Sequence, residues 1–162
     1  MPDKDPAAPL ELVASNRAAF HDYFILETHE AGLALKGTEV KSLRAKHCRL
    51  KDAHARVDRQ GNMELLNFHI NPYEHGNRYN GDPTRSRRLL MHKHQIAKLA
   101  MAIATKGVTL VPLRVYFKRG RAKVELGLAK GKQDRDKRDT LKAKEADRDI
   151  RRELGRNLKG RL

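Results

Sequence analysis

Cysteine occurs once in this chain, at Cys48, so no intramolecular disulfide can form and nothing marks the chain as secreted. The expected setting is a reducing cytoplasm, with Cys48 an ordinary free thiol; no base stands beside it at a spacing used by nucleophilic cysteines. Also absent are the G-x-x-x-x-G-K-[ST] phosphate loop, the G-x-S-x-G nucleophile turn and the H-E-x-x-H metal helix. No pair of carboxylates stands out. The 8 histidines include His92-x-His94 and His47-Cys48, but the paired Cys/His spacings that converge on zinc are missing, and they read as surface or loop residues. The sequence therefore nominates no catalytic residue, no metal and no cofactor, and an enzyme is not expected. No apolar run is long enough to span a bilayer, and the amino terminus lacks the apolar stretch of a signal peptide. No membrane partner is expected.

Acidic residues are in deficit. Against 35 Lys and Arg stand 20 Asp and Glu in 162 residues, a net charge of +15 and an isoelectric point near 10.2. The length fits one domain with appendages. Residues 130–162 hold 13 Lys/Arg against 7 Asp/Glu, no aromatic residue and too few large apolar side chains for a core of their own. The body, 1–129, keeps a net charge of +9. A field of this size attracts phosphates and makes their binding salt-sensitive; an anionic membrane surface is the weaker rival. A basic arm that cannot support itself gains structure on a polyanion, which points to RNA or DNA.

Pro2, Pro6 and Pro9 predict a flexible lead over residues 1–13. Residues 21–28 are aromatic and β-branched, and with Leu33, Ala34 and Leu35 beyond Gly32 they predict a β-hairpin. Thr38 is placed to cap a short helix through Leu43. Ala53, Ala55 and Val57 alternate with polar residues, turn at Gln60-Gly61-Asn62, and pair with an apolar face of Leu66, Phe68 and Ile70. Residues 71–88 read as a long irregular loop, and long loops in small domains are usually functional or disordered. Ile96, Leu99, Ala100 and Ile103 predict a helix over 93–106, stopped by Gly107. Two long strands follow. The first carries Leu113, Val115 and Phe117 on one face, with Pro112 at a bulge or edge. The second carries Ala122, Val124, Leu126 and Leu128.

About six short strands with one clear interior helix predict a mainly β fold. An OB-like closed barrel over residues 14–129, with short helices, removes the exposed strand edges; a split α+β sheet is the alternative. Residues 130–162 form a basic tail, disordered when free and helical when bound. Its stripe of Leu141, Ala146, Ile150, Leu154 and Leu158 and its charge pairs, such as Asp147–Arg151, are worth about 0.2–0.5 kcal/mol per pair, too little to hold a lone helix. Folding of the stripe back onto the body stays open, as does a merely solubilising tail. In the long loop, Arg85, Arg87 and Arg88 beside Tyr73 and Tyr79 fit two readings equally. The arginines meet phosphates while the tyrosines stack on bases, or the tyrosines pin the loop and the arginines form a solvated face.

Five stretches carry a resemblance: Asn16-Arg17 with His21-Asp22-Tyr23-Phe24-Ile25; Glu30-Ala31-Gly32-Leu33-Ala34-Leu35-Lys36-Gly37-Thr38-Glu39-Val40-Lys41-Ser42-Leu43-Arg44; Asn71-Pro72-Tyr73-Glu74-His75-Gly76; Asp82-Pro83-Thr84-Arg85-Ser86-Arg87-Arg88-Leu89-Leu90; and Leu128-Ala129-Lys130-Gly131-Lys132 with Asp136-Lys137-Arg138. In this order the chain resembles the small protein B family, the SsrA-binding proteins of bacterial ribosome rescue. The resemblance implies a cytoplasmic, monomeric OB-like protein that binds the tRNA-like domain of transfer-messenger RNA. It would travel with the alanyl-charged RNA and elongation factor Tu–GTP to stalled ribosomes. There the tail would enter the empty decoding centre and mRNA path as a helix, for trans-translation.

The resemblance ties Asn16, Glu30 and Leu90 to RNA binding; Arg17, Lys36, Arg85 and Arg87, in the same stretches, join them as candidates. It ties Lys130, Gly131, Lys132, Asp136, Lys137 and Arg138 to tail function on the ribosome. Glu30 either accepts hydrogen bonds from RNA donors or orients a neighbouring Lys or Arg. The chain departs from the family pattern in three places. Lys46-His47-Cys48-Arg49 replaces a Gly-Lys-Ala-Asn-like turn, which predicts a different turn geometry; His54 stands for a tyrosine, and Gln133 for a lysine. The alternative function is a general ribosome-associated basic RNA binder or chaperone.

Overall fold

Apolar residues recurring at every second position build most of the body, and the strands they form close on one another. The structure is a computed structural model that describes residues 9–105 and 107–159, with side chains through residue 156. It divides into two units between Lys130 and Gly131.

The first unit runs β1 (Leu10–Ser15), α1 (Arg17–Asp22), β2 (Tyr23–Leu33), α2 (Gly37–Arg44), β3 (Cys48–Arg49), β4 (His54–Val57), β5 (Met63–Leu66) and β6 (His69–Ile70). A 3-10 turn at Asn77–Tyr79 precedes β7 (Arg87–Leu90), α3 (Lys93–Ile103), β8 (Val108–Lys118) and β9 (Arg121–Gly131). The strand order is β1-β8-β4-β5-β7-β2-β9, and β9 also pairs with β8. Six strands thus follow one another in a ring, with β1 added beside β8, and β3 and β6 form a separate pair. The fold is mainly β.

Met63, Leu65, Leu89, Leu110, Val115, Val124 and Leu126 fill the main core, each at 2% exposure or less. Burying each such side chain contributes about 1.5–3 kcal/mol. Ile96 and Leu99, one turn apart on α3, join the same core. At Pro112 the pairing of β8 slips by one residue. This bulge flips the face of the strand. Val111 and Leu113 therefore leave the main core and pack in a second cluster with Ala19 of α1 and Ala129, while Val115 and Phe117 remain inside. The bulge was legible at the proline; the single face expected for Leu113, Val115 and Phe117 is corrected by it. The β8–β9 turn, Arg119-Gly120, has φ of 51° and 75°, the left-handed pair a tight two-residue hairpin needs.

Several expectations change. Of the lead expected over 1–13, residues 1–8 lie outside the described residues, and from Leu10 the chain is a strand paired with β8. Residues 21–35 are not a hairpin. Tyr23–Leu33 is one strand of 11 residues after the short helix α1. Gly32 makes no turn; a Cβ there would sit 3.1 Å from Leu90 Cβ, so the glycine serves the close approach of β7. In the second hairpin Asn67 takes φ 57°, which breaks the alternation. Met63 and Leu65, rather than Leu66, face the core of β5, and Phe68 and Ile70 belong to the next segment. Helix α2 starts at Gly37, and its first free donor is met by Glu39, whose Oε2 accepts from the Lys36 amide at 2.9 Å. Thr38 lies inside the helix and is not its cap. Lys46, the first residue of the departing stretch, has φ 60°. That is a left-handed conformation, which costs an L-residue about 1–2 kcal/mol.

The second unit is α4, Asp134–Lys159. Its stripe residues Leu141, Ile150 and Leu154 are 45%, 56% and 58% exposed. Asp147 pairs with Arg151 at 2.9 Å, one turn along.

Candidate nucleic-acid interface

Strand pairing puts two nominated residues on one face. Gly32 and Leu90 are register partners, and partners across a ladder point to the same side. Glu30, two residues before Gly32, shares that side. Leu90 is 57% exposed: with no side chain at Gly32, it lies across β2 and presents an apolar surface outward. Glu30 is exposed, but its carboxylate is held. It accepts a short hydrogen bond from the buried Tyr116 hydroxyl, and Lys118 Nζ lies 3.7 Å away. Burial raises the Tyr116 pKa, and Glu30 raises it further by hydrogen bond and charge, so the phenol is a fixed donor. A carboxylate has about four acceptor positions, and those left over face outward, where a ribose hydroxyl or a base amino group is a suitable donor. Tyr116 was not singled out from sequence because alternation along β8 marks only its face, not its partner on β2, the strand beyond β9.

Asn16 is half-buried at the start of α1. Its Oδ1 accepts from the Ala19 amide at 3.2 Å, which caps α1, and its Nδ2 donates to the Pro112 carbonyl at 3.1 Å. Its own amide donates to Leu113 O at 2.7 Å. These bonds tie α1 to the β8 bulge, so Asn16 positions the helix that presents the exposed Arg17.

Arg87 requires a correction. Its side chain has 0% exposure, so it does not offer its guanidinium to RNA. It donates to Glu39 Oε1 from Nε at 3.1 Å and Nη2 at 3.0 Å, and to the carbonyls of Phe68, Pro83 and Arg85. Arg85 grips the same carboxylate in bidentate fashion, at 2.8 and 2.6 Å. Burial alone pushes the Glu39 carboxyl up; the hydrogen bond from Arg85, the Lys36 amide and the Arg87 charge outweigh it and hold the carboxyl below its ordinary value. Burial likewise lowers the Arg87 pKa, and Glu39 opposes that shift. The node fastens the long loop to α2. Within the loop Asn80 brackets Tyr73, accepting from its amide at 3.0 Å and donating to its carbonyl at 2.8 Å. Arg88 stays exposed and donates to Asn62 Oδ1 at 2.8 Å. The loop is thus pinned by the buried Arg87, the half-buried Arg85 and Asn80, a role that the sequence readings had given to the tyrosines.

Of the nominated tail residues, Lys132, Asp136, Lys137 and Arg138 lie at the start of α4. Asp136 Oδ2 accepts from the Gln133 amide at 3.1 Å, the reciprocal half of a capping box. Thr140 Oγ1 donates to the Asp136 carbonyl at 2.8 Å and accepts from Lys132 Nζ at 3.3 Å. Lys137 Nζ lies 4.0 Å from Asp134, and Arg138 Nε donates to the Asp134 carbonyl at 3.4 Å. Asp134 and Asp136 in the first turn complement the helix dipole. Lys130, exposed, ends the β8–β9 ladder opposite Val108, and nothing lies within 4 Å of a Cβ built on Gly131.

Among the described residues no three His, Cys, Asp or Glu side chains gather as a metal site, and none of the helices is long and apolar enough to cross a membrane. Burial pushes the Cys48 thiol up to about 11, against a smaller opposing effect of Arg87, so it rests protonated.

A family model described as SmpB protein matches residues 13–156. An SsrA-binding protein of Caldicellulosiruptor bescii is 50% identical over 159 residues, covering 98% of this chain and all of that one. One of Desulforudis audaxviator is 58% identical over 144 residues, covering 89% and 94%. A solved structure described as "tmRNA-SmpB: a journey to the center of the bacterial ribosome" is similar at a TM-score of 0.65 and 50% identity, over 83% of this chain and 95% of the other.

Proposed function

The chain belongs to the SmpB family, and from that premise we propose that it is a ribosome-rescue factor that binds transfer-messenger RNA. It recognises the tRNA-like domain and brings that RNA to stalled bacterial ribosomes for trans-translation. The observation that carries this reading is the family match over 13–156, which takes in both the strand ring and most of α4. The ring of six strands supports an OB-like closed barrel as the RNA-binding body. Glu30 and Leu90 form its outward contact, with Arg17, Lys36 and Arg85 contributing charge at the edges. A rigid face of this kind suits a folded RNA, where phosphate and 2′-hydroxyl contacts dominate.

The tail occupies the empty decoding centre and mRNA path. Its exposed stripe and weak charge pairs support coupling of its helix to that site, and mRNA would compete for the same space. Elongation factor Tu–GTP joins through the alanyl-charged RNA, the protein acts as a monomer in the cytoplasm, and its role is binding rather than catalysis. The excess of cations sets the first test. Raising salt from about 50 to about 200 mM lowers the affinity for transfer-messenger RNA by about 10³–10⁵ if some 6–10 phosphates are neutralised. Equilibrium binding across that range checks it, and a flat response contradicts phosphate-driven binding.

A further inference from the structure

A groove lies between α2 and the tyrosine loop. Its volume is about 440 Å³, and Lys36, Lys41, Tyr73, His75, Tyr79 and the first turn of α2 line it. We propose that it holds a single unstacked nucleotide of the bound RNA, its base against the tyrosine rings and its phosphate between Lys36 and Lys41. This rests on the RNA-binding reading above and adds a subsite to it.

The chemistry of the lining favours this occupant. It has two lysines, a histidine and two tyrosines, and no carboxylate. Lys41 Nζ sits 5.2 Å from the centre of the Tyr73 ring, so cation and aromatic face are already side by side. A Cβ built on Gly81 would lie 3.4 Å from Lys36 Nζ, which places that ammonium against the same loop. Tyr79 is 69% exposed, and the Arg78 guanidinium stands 5.3 Å from its ring centre. Phosphate attracts the lysines, and any base stacks on an aromatic face. The volume lies within the range of about 300–1,000 Å³ common for small-ligand sites.

The groove is also held in shape before RNA arrives. Asn80 brackets Tyr73, and a Cβ on Gly76 would fall 2.6 Å from Asn80 Oδ1, so a glycine is required there for the bracket to close. The Glu39–Arg85–Arg87 node fixes the far end of the loop to α2. A site ordered in advance avoids the entropy of ordering a loop on binding. Nothing in the groove reads one base edge over another with more than a few groups, so the preference for one RNA arises from shape elsewhere on the body.

The test uses the full chain with intact transfer-messenger RNA at fixed salt, comparing wild type, Tyr79→Ala, Tyr79→Phe and Lys41→Ala. Tyr79→Ala is expected to weaken binding by about 5- to 150-fold, the range for loss of one stacked base, and Tyr79→Phe to restore it. Lys41→Ala is expected to weaken binding and to reduce the salt slope by about one. Tyr79 and Lys41 are exposed, so thermal unfolding should be unchanged, which separates lost contact from lost fold. If Tyr79→Ala binds the RNA as wild type does, the pocket is refuted. If it binds RNA normally but fails to associate with ribosomes, the groove serves a ribosomal partner and the proposal is refuted equally. If wild type itself shows no preference for transfer-messenger RNA over tRNA, the RNA reading fails, and the pocket with it.

Discussion

Glu39→Gln is expected to lower folding stability by about 3–5 kcal/mol, the usual loss when one partner of a buried ion pair is removed. For a chain of this size that is a fall in Tm of about 6–20 °C. Arg87 has no exposed surface, and Glu39 supplies the anion for both Arg87 and Arg85. Without its charge, two guanidinium groups face each other across a site that water reaches poorly. The fault lies in the unpaired charge, not in the shape. Replacing Glu39 by Leu together with Arg87 by Met should therefore recover part of the loss, because apolar residues of similar volume often substitute for a buried pair.

The same node makes stability sensitive to acid. The Glu39 carboxyl is held below its ordinary value in the folded chain, so its contribution is fully present above about pH 4.3, the unfolded glutamate value, and is lost as pH falls through the lower folded value. Urea unfolding of wild type and Glu39→Gln at neutral and acid pH checks both claims. The gap between the two proteins should narrow in acid; an unchanged gap, or a loss below 1 kcal/mol at neutral pH, contradicts the role given to this node.

Replacing Asp136, Lys137 and Arg138 together by Ala is expected to leave affinity for transfer-messenger RNA nearly unchanged and to abolish tagging of stalled products. Asp136 meets the free Gln133 amide at the start of α4, and losing a capping side chain costs about 0.5–2 kcal/mol. The helix has little else to offset that loss. Its stripe is exposed, its charge pairs contribute only tenths of a kcal/mol each, and starting a helix is unfavourable in itself. Lys137 and Arg138 remove two cations at the same turn. If the body alone binds the RNA, as proposed, the two readouts should separate. A tagging assay on ribosomes stalled without a codon measures one, and equilibrium binding the other; normal tagging contradicts the role of the tail.

Elements with strong periodicity were legible in outline: α3 and β9 follow their apolar spacing, whereas the second strand of the β4–β5 hairpin came out of phase and the face of β8 is broken by the bulge at Pro112. The errors share a cause, which is that residue type does not reveal its partner. Gly32 reads as a turn, yet it is there for the approach of Leu90 across the ladder. Arg87 reads as solvated or phosphate-seeking because charge is normally outside, and only the fold shows Glu39 opposite it, 48 residues away in sequence. The structural part of Asn16, whose amide fastens α1 at both ends, is likewise invisible in sequence. The candidate tail residues were readable as a basic arm, but the capping role of Asp136 follows only from where α4 begins.

The central claim is that the body selects the RNA and the tail acts elsewhere. It is tested most directly by competition at fixed physiological salt, with labelled transfer-messenger RNA challenged by ordinary tRNA and by duplex RNA. Full-length protein is compared with a chain ending at Lys130, which keeps the buried Ala129 and the end of the β8–β9 ladder. The account predicts a strong preference for transfer-messenger RNA in both proteins. A preference that is absent, or that disappears with the tail, would make this chain a general basic RNA binder and contradict the account.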